Sequence, residues 1–213
     1  MPRTAGSGLD KCCATAGLSR PAREVHLAVL AAFAQAGRAL SRDELERVAV
    51  GQGADPAAVL AELQERDVIA FGADGELRAA YPFSPAPTPI QVTWAGGPVI
   101  HAMCAIDALG IPLMAGRDGT ITSADPHSGE QVRGQRRDGT WRWEPDSTVV
   151  LAAVGGGCAT AADLSCRNVS FYTSASHAEA YLRANPGVSG QILDQATAVD
   201  AAGILFGPPL GRT

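Results

Sequence analysis

The chain has 213 residues, with 17 Lys and Arg against 22 Asp and Glu, a net charge of −5, 46% hydrophobic residues and 18% charged ones. That length can bury a real core in one domain or two small ones, and the negative balance argues against wholesale attraction to nucleic acid or to an anionic membrane surface. No stretch approaches the roughly 20 apolar residues of a membrane span and the N-terminus lacks the apolar region of a secretory signal, so a soluble cytoplasmic protein is expected.

Residues 1–20, dominated by Gly, Ser, Thr and Ala, read as a flexible tail. From Pro21 a helix carries Val25, Leu27, Val29, Leu30 and Phe33 on one apolar face and stops at Gly37. Ser41 with Glu44 forms a capping box for a second helix, and Asp55-Pro56 opens a third with Val59, Leu60 and Leu63 on a shared face. A hairpin follows, turning at Asp74-Gly75. The Pro-rich stretch 82–89 reads as a linker.

Beyond it, 90–94 alternates like a strand, and a short apolar helix is expected from roughly Ile100 to Leu109. Residues 119–123, 130–135, 140–144, 148–154 and 170–174 are strand candidates. Ser176 is expected to cap a helix through Ala184, and a last helix to run from about Leu193 to Gly203. The expected class is α+β. A three-helix winged-helix-like domain over 21–82 precedes a mixed or antiparallel β-sheet core with flanking helices over 83–213.

A winged helix invites a DNA-binding reading, with the third helix in the major groove. Here that helix sets Asp55, Glu62, Glu65 and Asp67 against Arg66 alone, where phosphates would have to approach. Neither nucleic acid nor membrane is expected as a partner.

The chemistry starts at residues 103–109, Met-Cys-Ala-Ile-Asp-Ala-Leu. On a helix, Cys104 and Asp107 project from one face about a turn apart, so the carboxylate can take or return the thiol's proton. A helix N-terminus just after Gly96-Gly97-Pro98 would favour the thiolate, the form that attacks and that binds soft metals. A small buried apolar Cys beside a surface Asp would leave the same local trace. Cys166 precedes the strand candidate at 170–174 and could meet Cys104 across a cleft, or be an unrelated core cysteine. Two thiolates and a carboxylate suit a soft cation and lack the further His or Cys of a closed zinc site.

Three segments in order make the sequence recognisable. They are Cys-Ala-Ile-Asp-Ala-Leu-Gly-Ile-Pro at 104–112 with Gly116-Arg117, Ile-Thr-Ser-Ala-Asp-Pro-His-Ser-Gly-Glu-Gln-Val at 121–132, and Ser-Cys-Arg-Asn-Val-Ser-Phe-Tyr-Thr-Ser at 165–174. Together they resemble the organomercurial (alkylmercury) lyase family over roughly residues 23–210. The resemblance implies protonolysis of a carbon–mercury bond, with Cys104 and Cys166 as the mercury-binding thiols and Asp107 as the proton-transferring carboxylate that also neighbours the Hg(II). It implies organomercurial substrates, no cofactor beyond Hg(II) held as product, and external thiols and a mercuric reductase as Hg(II) acceptors. It also implies that the winged helix is a packing module. Three positions depart from the family pattern: Met103 where an aromatic is usual, Asp125 where some members have a third cysteine, and Arg167 where some have a second adjacent one.

The other cysteines read as bystanders or spare thiols: Cys158 in a Gly-rich loop, and the vicinal Cys12 and Cys13 in the tail, which do not readily bond to each other. His26, His101, His127 and His177 lack ligand spacing, and Trp94, Trp141 and Trp143 are expected to fill core between strands. Two rival readings remain, a protein of the same fold that holds Hg(II) or another soft metal without cleaving anything and a metal-responsive winged-helix transcription regulator.

Overall fold

The computed structural model describes residues 17–155 and 168–207. Six helices and eleven strands lie among these residues, and every neighbouring strand pair is antiparallel.

Helix α1 (Arg20–Ala36) starts one residue before Pro21, because the Ser19 hydroxyl caps it, and ends at Gly37, whose φ of 64° favours glycine. Helix α2 (Arg42–Gly51) carries the expected capping box between Ser41 and Glu44, and α3 (Pro56–Glu65) has Asp55 as its cap. The hairpin β1 (Ile69–Phe71) and β2 (Leu77–Ala80) follows, with Gly75 at φ 81° in its turn.

Inside the Pro-rich stretch lies β3 (Phe83–Ser84), which pairs with β2 on one side and with β5 (Ile100–Ala102) on the other. Proline excludes a long strand there, but two residues without proline suffice to continue the ladder. Phe83 is buried and stacks on Phe33 of α1 at 4.9 Å between ring centroids, 3° from parallel. One apolar cluster therefore runs from α1–α3 through the sheet.

The large sheet has the order β1-β2-β3-β5-β4-β6-β7-β8, completed by β4 (Gln91–Thr93), β6 (Gly119–Ala124), β7 (Gln131–Arg137) and β8 (Thr140–Glu144). A second sheet, β10-β9-β11, joins β9 (Val149–Gly155) to β10 (Val169–Tyr172) and β11 (Val188–Leu193). Strand β9 is its centre. Val150 and Phe171 face the main core, whereas Leu151 and Tyr172 pack against α5 (Ala175–Ala184) on the other side. Burial on both faces explains why residues 149–153 form a continuous apolar run.

Helix α4 (Ala105–Ala115) departs from expectation. Residues 100–102 are strand, since Ile100 pairs with Val92 and His101 with Ser84, so the helix begins only at Ala105. It then runs past Leu109 and through Pro112, despite the hydrogen bond a proline forfeits. Burial outweighs that loss: Ile106, Leu109, Ile111 and Met114 are all in the core. Helix α6 (Gln195–Phe206), capped by Asp194, crosses it closely, and a Cβ on Gly110 would fall 2.2 Å from the Phe206 ring. Ser174, not Ser176, caps α5. No helix among the described residues is long and apolar enough to cross a membrane.

Replacing Phe33 by Ala is expected to lower stability by about 3–5 kcal/mol, because it empties the stack on Phe83. A urea titration checks this through a lower midpoint at unchanged m-value.

Candidate active site

Strand β5 delivers the chain to the first turn of α4. Thr88 holds this approach: its hydroxyl bonds the carbonyls of Ile90 (3.0 Å) and Ala102 (2.8 Å), and its N–H meets His101 Nδ1 at 3.1 Å. His101 is thus a packing residue on a strand. The Met103 N–H donates to the Pro82 carbonyl at 3.3 Å, fixing the residue before the thiol.

Cys104 is the N-cap of α4, in extended conformation at φ −153° and ψ 177°. Its Sγ accepts the N–H of Asp107 at 3.4 Å, the place usually taken by a Ser, Thr or Asp oxygen. The i, i+3 relation read from the sequence survives, but as cap to third helical residue. This places the sulfur at the positive end of the helix. Both side chains are deeply placed, Cys104 with 5% of its surface exposed and Asp107 with 3%.

Met103, the residue before Cys104, lines a cavity of about 270 Å³ together with Thr88, Ile90, Asp125, Val169 and Ser170 among others. Val169 and Ser170 belong to β10, the strand that follows Cys166 in the chain. Cys166 itself, with Cys12, Cys13, Cys158 and Arg167, falls outside the described residues, so the expected pairing of Cys104 with Cys166 has no geometry here.

Asp125, which the resemblance marks only as a departure, is a hub. It is 1% exposed. Oδ1 accepts the N–H groups of His127 (2.7 Å) and Ser128 (3.3 Å), and Oδ2 accepts the Thr173 N–H (2.8 Å), the Thr173 hydroxyl (2.8 Å) and His177 Nδ1 (2.8 Å). Burial alone would raise its pKa. The Thr173 N–H, His177 and the His127 N–H outweigh it and hold the carboxyl well below the ordinary carboxylate range. The Asp-Pro-His-Ser-Gly run at 125–129 signalled a local Asx turn, but nothing local announced Thr173 and His177.

Trp94 is buried under the Arg117 guanidinium, 5.5 Å from its ring centroid. Trp143 is buried against Trp141 and Phe171, each at 5.5 Å.

The family model for alkylmercury lyase matches residues 83–207, more than half of the chain and all of α4 with its flanking strands. The chain belongs to the alkylmercury lyase family. It is an organomercurial lyase, an enzyme that replaces a carbon–mercury bond with a carbon–hydrogen bond. Solved structures are also similar. One of them, the crystal structure of the mercury-bound form of MerB2, has a TM-score of 0.75 and 23% identity, covering 93% of this chain and 95% of that one. That likeness establishes the fold shared from α1 to α6. No curated protein matches the sequence.

Because Ser is a better cap than Cys, Cys104→Ser is expected to leave the melting temperature unchanged or slightly higher, whereas Cys104→Ala should cost about 1 kcal/mol. Thermal unfolding of the two variants checks this. For Asp125→Asn, lost hydrogen bonds should cost about 1–3 kcal/mol near neutral pH. The depressed pKa of Asp125 in the folded state gives the sign of the pH effect. Its stabilisation is full above the unfolded value of about 3.9 and is lost as pH falls below it. The gap in melting temperature between wild type and Asp125→Asn is therefore expected to narrow from pH 6 to pH 3.

Proposed function

We propose that Cys104, Asp107 and Cys166 carry the lyase reaction, and that the cavity beside Met103 receives the organic group. The observation that supports this most directly is a thiol and a carboxylate on one buried helix turn, with the residue before the thiol, Met103, on the wall of a small cavity. The cavity lies just below the range of about 300–1,000 Å³ typical of drug-sized ligands, which suits small alkyl or aryl groups.

In this scheme Cys104 displaces the thiolate that brought R–Hg⁺ and forms the first mercury–sulfur bond. The Asp107 carboxylate takes the proton of the Cys166 thiol, and the resulting thiolate adds as second sulfur ligand. Electron donation by two sulfurs weakens the carbon–mercury bond. Its electron pair leaves with carbon, which takes the proton held on Asp107. R–H departs, Asp107 is a carboxylate again, and Hg(II) stays on the two sulfurs. Protons and electrons balance without a redox or nucleotide cofactor. External thiols then remove Hg(II), and a mercuric reductase is the acceptor whose chemistry fits. A reducing cytoplasm would supply such thiols.

We read residues 21–82 as a winged-helix-like packing module and residues 83–213 as the catalytic domain. Three helices followed by the β1–β2 hairpin support the first part, and the acidic surface of α3 makes it unsuited to phosphates.

Purified protein with excess thiol is expected to release methane from methylmercury. Cys104→Ser and Cys166→Ser should each lower turnover at least a hundredfold, and Asp107→Asn should bind mercury but lose most protonolysis. Gas chromatography of the headspace checks all three. Stoichiometric mercury binding by wild type without hydrocarbon release would sink the scheme, and equal turnover in Asp107→Asn would remove Asp107 from it.

A further inference from the structure

We infer that Met103 is a substrate-binding residue whose thioether sulfur contacts the mercury atom before Cys104 takes it. This rests on the reading of the adjacent cavity as the substrate site. The Cys104 sulfur is nearly buried and accepts the Asp107 N–H, while its chain neighbour Met103 lines the cavity. Among the residues that wall that cavity, Met103 is the one that carries sulfur. Its side chain is half-buried against the main core, and its backbone is tied to Pro82 at 3.3 Å. The tie holds the residue in place while three side-chain torsions leave the sulfur free to move.

The chemistry suits a transit ligand. Thioether sulfur is soft and polarisable, as mercury requires, yet it is neutral and has no proton to lose. It can therefore hold an R–Hg–thiolate complex by lone-pair donation without trapping it as a thiolate would. No bond need break at that stage. Met103 is the chain neighbour of Cys104, and its side-chain torsions let the sulfur swing as mercury is handed on. The Cys104–mercury bond forms, the bond to the carrier thiolate breaks with its electron pair, and the carrier leaves with the Cys104 proton.

The test uses the full chain and methylmercury. Met103→Leu conserves volume and apolarity, so the fold should hold. It is expected to raise KM for methylmercury about tenfold with kcat changed less than twofold. In selenomethionine-labelled protein, with Cys104→Ser added so that mercury cannot pass on to the thiol, X-ray absorption at the mercury edge should find a selenium neighbour that disappears in Met103→Leu. Met114 is buried and keeps its label in both proteins, so the loss reports on Met103. An unchanged KM, or a raised KM with no mercury–selenium contact, would overturn the inference. Failure of wild type to release methane would instead strike the lyase scheme, and the selenium signal would still decide whether mercury meets Met103.

Discussion

Burial of α4 is the constraint on which the rest of the molecule depends. The helix is apolar on nearly every side, so it must be enclosed, and it is covered by the large sheet, the small sheet and α6. Enclosure lets it run through Pro112 and lets α6 approach Gly110 closely. It also fixes where the first turn points. Cys104 and Asp107 inherit a rigid position from this packing.

Polar bonds then pin what hydrophobic packing leaves loose. Thr88 holds the strand that leads into Cys104, while Asp125 joins the β6–β7 turn to the β10–α5 turn. Asp125 also lines the cavity, so one buried carboxylate couples the cavity wall to the strand reached from Cys166. Such a group is tolerated in the core only because five donors surround it; with fewer, desolvation would dominate.

The N-terminal helices add to the same core. Stacking of Phe33 on Phe83 and the run of sheet from β1 to β8 tie α1–α3 to the strands around the site. A three-helix unit with a hairpin is often met as a nucleic-acid reader, but a fold alone does not confer that function.

Local signals in the sequence determined a good deal. The Ser41–Glu44 box, Asp55-Pro56, Gly37 and Asp74-Gly75 set element ends because each satisfies or terminates backbone hydrogen bonding within a few residues. The same holds for Cys104 and Asp107, whose spacing put them on one helix turn, and the ordered segments around them pointed to the alkylmercury lyase family. Other features belonged to tertiary structure alone. The strand character of residues 100–102, the existence of β3 and β11, and the persistence of α4 beyond Leu109 depend on partners far along the chain. So do the Asp125–Thr173–His177 network and the place of Met103 on the cavity wall. Hydrogen bonds and burial between distant segments leave no periodicity in either segment, and only the folded chain brings them into contact.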